Sequence, residues 1–236
     1  MYSNEDLVRF YYYIIMLIRF CDFLSINDLN ANSASLNNRE RSLFKIAIID
    51  DEDFYYKEQL MNLGFNITKY DDVLDLNMLS SYDLIISDIK GVGKKFDSEF
   101  EGAFLLSQLK TKYPYKEFAA YTGSAYDPRI SGLLNGIQVI KKDYPIEDWT
   151  NAIDSLLKSV GDPKQIWLKI RKNLLDKNIS PIELTYIEDE FVTRVLRNKG
   201  FHDFPSNSMG KGLTPEIKNL ISTLSKVILS KVLSTI

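Results

Sequence analysis

Phe44-Lys45-Ile46-Ala47-Ile48-Ile49 runs directly into Asp50-Asp51-Glu52. A short apolar run that ends in acids reads as a buried strand with charge at its carboxyl end. Apolar runs that end in a polar side chain recur three times: Tyr82-Asp83-Leu84-Ile85-Ile86-Ser87 ends at Asp88, Phe118-Ala119-Ala120-Tyr121 at Thr122, and Ile137-Gln138-Val139-Ile140 just before Lys141-Lys142. Helix-like stretches at 52–63, 73–80, 100–112, 125–134 and 146–159 separate these runs. Such alternation predicts an α/β fold, a parallel sheet with helices on both faces. Ligands of an open doubly wound sheet gather beyond the carboxyl ends of its strands, which makes Asp50, Asp51, Asp88, Thr122 and Lys142 the candidate site.

The 236 residues, 45% of them apolar, suffice for one domain of average size plus a substantial extension. A single cysteine, Cys21, excludes an internal disulfide framework and fits a reducing compartment, so the expected location is the cytoplasm. The net charge of −3 conceals an asymmetry. Residues 43–160 carry 13 Lys and Arg against 19 Asp and Glu, while residues 161–236 carry 12 against 8. The basic excess of the second part falls among apolar residues at helical spacing, the pattern of solvated helix faces.

Phe10 to Ile18 is an unbroken apolar run bracketed by Arg9 and Arg19, too short for the roughly 20 residues of a membrane span. Glu5 and Asp6 precede it and no small-residue cleavage site follows, which argues against a signal peptide. A helix over Asn4 to Leu24 that docks on protein is expected, with interfacial membrane attachment as the alternative. Residues 25–38, rich in Asn and Ser, read as a linker. The expected division is an N-terminal helix and linker over 1–42, an α/β domain over 43–160 and an all-helical domain over 161–236.

Three helix starts follow Val160. Asp162-Pro163-Lys164-Gln165 and Ser180-Pro181-Ile182-Glu183 each set a capping residue before a proline at the first helical position, and Thr214-Pro215-Glu216 is a weaker version. Apolar faces follow: Ile166, Trp167, Ile170 and Leu174; Leu184, Ile187, Phe191 and Val195; Ile217, Ile221, Leu224 and Ile228. Gly200 to Gly212, with Pro205 and Gly210 as breakers, reads as the loop between the second and third helices.

Asp50, Asp51 and Asp88 would meet at one sheet edge, where three carboxylates repel strongly. A hard divalent cation resolves that conflict, and Mg²⁺ suits a site with few carboxylates and retained waters. Beside such an ion Asp88 is placed to attack phosphorus and form an aspartyl phosphate, with Lys142 as a point charge and Thr122 as a hydroxyl donor for phosphoryl oxygens.

IIDDE (Ile48 to Glu52), YDLIISD (Tyr82 to Asp88), AAYTG (Ala119 to Gly123) and IKKD (Ile140 to Asp143) together resemble the receiver domain of two-component response regulators, over Phe44 to about Val160. The resemblance implies a flavodoxin-like five-stranded sheet of order 2-1-3-4-5. It implies Mg²⁺ held by Asp50, Asp51, Asp88 and the backbone carbonyl of Lys90, and phosphate arriving from a histidine kinase. It also assigns the lysine role to Lys142 in preference to Lys141, because Lys142-Asp143 leads towards Glu147-Asp148-Trp149 as the motif leads into its last helix. Two features depart from the family: residues 89–101 form a long loop where a short one with proline is usual, and the last strand offers Gln138 and Val139 where an aromatic is usual.

Gly91-Val92-Gly93-Lys94-Lys95 lacks the spacing and the Ser or Thr of a phosphate loop, and His202, the single histidine, reads as a loop residue. Arg194, Arg197, Lys199 and Lys211 invite a DNA-binding reading, yet no tight turn leads into a polar recognition helix. The last helix, Ile217 to Ile236, instead needs wide burial against the N-terminal helix, a second copy or another protein. The function expected is therefore an atypical response regulator that signals through its helical extensions to a protein partner. A receiver-like adaptor without phosphotransfer and a DNA-binding regulator with a divergent tail are the alternatives.

Overall fold

The computed structural model describes residues 23–29, 37–96, 99–123, 128–176, 178–206, 213–215, 217–222 and 225. Five strands, β1 (Lys45–Ile49), β2 (Asn66–Tyr70), β3 (Leu84–Asp88), β4 (Glu117–Thr122) and β5 (Gln138–Lys141), form one sheet in the order β2-β1-β3-β4-β5. Every neighbouring pair is parallel. The order reverses between β1 and β3, so the crevice beyond their carboxyl ends is the natural ligand position. This is the flavodoxin-like order that the receiver resemblance implies.

Side-chain alternation along the central strands divides the core in two. Ile46, Ile48, Leu84 and Ile86 join Leu60 of α2 (Lys57–Asn62) and Trp149, Ile153 and Leu157 of α5 (Ile146–Gly161). Ala47, Ile49 and Ile85 face the opposite way, onto Leu105, Leu106 and Leu109 of α3 (Glu101–Lys112) and Ile130 of α4 (Ile130–Leu133). The short helix α1 (Asn38–Arg41) is closed by a capping box between Asn37 and Glu40. Its Arg41 forks onto both oxygens of Asp154, at 2.9 and 2.7 Å, and donates to the Leu63 carbonyl at 2.9 Å, clamping α1 to α2 and α5.

The helical part has its own core. Ile166, Trp167, Ile170 and Leu174 of α6 (Pro163–Leu175) pack with Leu184, Ile187 and Phe191 of α7 (Pro181–Leu196) and with Ile217, Leu220 and Ile221 of a helical stretch at 217–222. Both proline starts behave as their spelling predicts. Asp162 accepts from Lys164 N–H at 2.9 Å, and Ser180 forms a reciprocal capping box with Glu183. Asp162 is at once the residue that ends α5 and the cap that begins α6, so a single residue joins the two helices. Lys169 of α6 adds a second tie, donating to the Tyr115 carbonyl at 2.8 Å and meeting Glu117 of β4 at 3.2 Å.

Residues 25–38 are not wholly linker: Ile26–Asp28 form a 3-10 turn, Leu29 is buried in the helical core, and α1 begins at Asn38. Leu29 docks this segment together with the half-buried Leu24 and Ile26, and acids on α7 satisfy its backbone, Asp189 accepting from Leu24 N–H and Glu188 from Ile26 N–H, both at 2.8 Å. Of the helix expected over 4–24, only Phe23 and Leu24 are described, and neither is helical; the remainder lies outside the described residues. The 200–212 loop also contributes to the core, through buried Phe201 and Phe204. Arg194 binds it by donating to the Gly200 carbonyl at 2.6 Å, Asp203 at 2.7 Å and Ser206 at 3.0 Å, which removes this cation from any DNA-facing surface. His202 is exposed, and Leu224, Ile228 and Lys211 lie outside the described residues. Among the described residues no helix is long and apolar enough to cross a membrane.

Candidate functional site

Asp50 follows the last residue of β1, Asp88 ends β3, Thr122 ends β4 and Lys142 follows β5. Parallel register sets these ends side by side: Ile49 pairs with Ser87, Asp88 with Tyr121, and Thr122 with Lys141. One carboxylate oxygen from each of Asp50, Asp51 and Asp88 lies within 4.8 Å of the other two. Asp50 and Asp88 are buried, while Asp51 stands exposed at the rim.

The ammonium that reaches Asp88 is that of Lys142. It lies 2.5 Å from Asp88 Oδ2 and 3.9 Å from Asp50 Oδ2. Burial opposes the charge on Lys142, but the hydrogen bond to Asp88 and the fields of Asp88 and Asp50 outweigh it and hold the amine above the ordinary lysine value. Lys141 is exposed at the end of β5. Thr122 is buried, and its carbonyl accepts from Lys142 N–H at 2.9 Å, which anchors the base of the lysine. Lys90 is exposed in the loop after β3, and its N–H donates to Asp88 Oδ1 at 3.3 Å. Each oxygen of the candidate nucleophile thus already has a donor.

Residues 89–96 are tightly anchored beside the site. Ile89 and Val92 are buried in the sheet core. Asp72 accepts from Gly93 N–H at 2.5 Å and Lys94 N–H at 3.3 Å, and Glu101 accepts from Gly91 N–H at 2.8 Å. The glycines of this stretch serve close approach, not phosphate cradling. Gly91 has φ +78°, and a Cβ there would fall 2.2 Å from Asp51 Oδ1. Gly102, in the first turn of α3, sits so close to β3 that a Cβ would fall 1.9 Å from the Asp88 carbonyl oxygen. Lys94 extends back to Asp51 at 3.3 Å, an exposed pair of little energetic weight.

Tyr121 is a site residue that the sequence reading passes over. It counts there as the end of an apolar run, yet its hydroxyl donates to Asp50 Oδ2, while Asp50 Oδ1 accepts from Glu52 N–H at 3.0 Å. The ring is held edge-on by Phe54 and Trp149, with centroids at 5.8 and 5.5 Å, and the Lys142 ammonium lies 5.2 Å from its centroid. Burial first, and the bond to Asp50 second, push the phenol far above its ordinary value, so it remains a hydrogen donor. The signal in the sequence is one polar atom on a residue that the sheet must bury. Gln138 is exposed and Val139 half-buried on β5, so the aromatic nearest the acids belongs to β4.

Oxygen donors alone make up the acidic cluster, a set suited to a hard cation of the Mg²⁺ kind. The missing Cβ of Gly91 makes the room that the Asp51 carboxylate occupies beside it. The residues therefore fit the ion that the resemblance implies.

No protein-family model and no curated protein matches this sequence. Among solved structures, the chain is similar to the signal receiver domain of an HD domain-containing protein from Pseudomonas fluorescens Pf-5, with 20% identity and a TM-score of 0.41 over 54% of this chain and 93% of that one. It is also similar to the receiver domain of NtrX from Brucella abortus, with 18% identity and a TM-score of 0.41 over 49% and 99% of the two chains. A two-component response regulator from Clostridium difficile gives 20% identity and a TM-score of 0.41 over 49% and 96%.

Proposed function

We propose that this chain is a phosphorylation-dependent switch of the response-regulator type, with Asp88 as phosphoacceptor and a divalent cation, Mg²⁺ by chemistry, at Asp50, Asp51, Asp88 and the Lys90 carbonyl. One observation carries the reading: the Lys142 ammonium is set on Asp88 Oδ2 inside a cluster of three carboxylates, at the point where strand order reverses. The amine meets two of these acids, Asp88 and Asp50, while the three carboxylates crowd one another, and phosphoryl transfer needs this concentration of oxygen ligands and positive charge.

An Asp88 carboxylate oxygen forms the bond to phosphorus as the bond from phosphorus to the donor's leaving atom breaks, and the leaving group departs with its electron pair. Bound metal supplies positive charge to the acids and to the phosphoryl oxygens. Lys142, now paired with Asp88, turns its ammonium to the phosphoryl oxygen that replaces the carboxylate charge, and the Thr122 hydroxyl donates to another. Lys90 N–H holds Asp88 Oδ1 and so fixes the orientation of the nucleophile. The donor is a histidine kinase or a small phosphodonor, and the helical part passes the state to a protein partner.

Incubation of the full chain with Mg²⁺ and acetyl phosphate, followed by intact mass measurement, tests this. One added phosphate is expected in the wild type and none in Asp88→Asn. Absence of the adduct under conditions that label an ordinary receiver would leave the protein as a docking adaptor.

A further inference from the structure

Resting on the cation reading above, we propose that Tyr121 is a positioning residue for the metal: by holding one oxygen of Asp50 it fixes that carboxylate for single-oxygen ligation and biases the site towards Mg²⁺ over Ca²⁺. Asp50 is restrained at both ends, Oδ2 by the Tyr121 hydroxyl and Oδ1 by Glu52 N–H. Each oxygen keeps one lone pair, but the carboxylate has lost its freedom to turn. Mg²⁺ demands near-octahedral geometry, whereas Ca²⁺ takes six to eight oxygens in a flexible shell and gains from carboxylates free to bind through both oxygens. A carboxylate locked before the ion arrives therefore favours the smaller cation.

The lock is rigid because its other end is rigid. The Tyr121 ring is fully buried and wedged between Phe54 and Trp149, which also meet each other edge-on at 5.1 Å, so the phenol cannot follow Asp50 if that carboxylate rotates. The same ring lies under Lys142, so one side chain touches both a cation ligand and the lysine assigned to the phosphoryl group. A phenol kept only to satisfy its own burial needs a partner, not this one; a backbone carbonyl would serve equally well.

Calorimetric titration of the full chain with Mg²⁺ and with Ca²⁺, in wild type and Tyr121→Phe, tests the role without reference to phosphorylation. Wild type is expected to bind Mg²⁺ more tightly than Ca²⁺. The variant should lose about tenfold in Mg²⁺ affinity, as loss of a carboxylate's supporting hydrogen bond does at other sites, and much less in Ca²⁺ affinity. A merely structural phenol would lower the melting temperature and leave the ratio of affinities unchanged, and that result overturns the proposal. Wild-type preference for Ca²⁺ overturns it without the variant, should Tyr121→Phe fail to fold. Wild type that binds neither ion removes the cation reading itself, whereas an unchanged variant on a Mg²⁺-binding wild type removes only the role of Tyr121.

Discussion

At the carboxyl edge of the sheet, Asp50, Asp51 and Asp88 face one another within 4.8 Å. In the helical part, by contrast, Glu183 closes a cap on Ser180, Glu188 and Asp189 accept backbone N–H groups of the N-terminal segment, and Glu190 and Asp203 hold Arg194. The same residue types are crowded against one another in one region and spread over caps, backbone donors and a cation in the other. Crowding costs stability and persists where chemistry requires it, whereas distribution is what a fold does with acids that serve only the fold. Neutralising an acid or its partner should therefore have opposite signs in the two regions.

Arg194→Met gives the largest effect. It takes the guanidinium from the Gly200 carbonyl, from Glu190 and from the half-exposed Asp203, and should cost about 2 kcal/mol, or roughly 4–8 °C in melting temperature, measured by circular dichroism. A loss below about 1 kcal/mol would mean that these acids are as dispensable as surface charges. Asp51→Asn should act the other way. Without divalent cation it relieves repulsion with Asp50 and Asp88 and should raise stability by about 1 kcal/mol, with the order of stabilities reversing in excess Mg²⁺ as the wild type gains from binding. A destabilised Asp51→Asn in metal-free buffer would erase the contrast.

Acid titration gives the smallest effect. Glu183 is held below the usual carboxylate range by Ser180, and Asp203 by Arg194. Because both values are depressed in the folded chain, their stabilisation is complete above the ordinary values of 4.5 and 3.8 and is lost as pH falls through the folded ones. Melting temperature should decline below about pH 4, less steeply in Arg194→Met, which has already lost the Asp203 share. Equal slopes would show that Arg194 does not hold Asp203 in solution.

The sheet was legible where burial is continuous. The apolar runs before Asp50 and Asp88 have no solvent-facing positions in their centres, so composition alone marks them as central strands. Edge strand β2 was not spelled out in the same way, since only Ile67 of Asn66–Tyr70 is buried. Local grammar also placed Asp162 and Ser180 correctly, because a cap acts on donors within its own turn. The strand-end pattern also made the gathering of Asp50, Asp51, Asp88 and Lys142 legible, but long-range contacts outside that pattern were not. Tyr121 meets Asp50 and Asp72 meets Gly93 because the sheet brings them together, and neither pair has a local signature. Leu29 was hidden for the same reason, a lone apolar residue whose site lies on helices more than a hundred residues later.

Asp162 has a mechanical consequence. With φ −72° and ψ 116°, followed by a proline that fixes its own φ and confines the residue before it to extended backbone, the joint between α5 and α6 has almost no slack. Trp149, near the start of α5, abuts Tyr121, and Trp167, one turn into α6, sits at the centre of the helical core. No linker separates the two helices, so the packing at Trp149 and the packing at Trp167 are held in a fixed relation by one stiff residue.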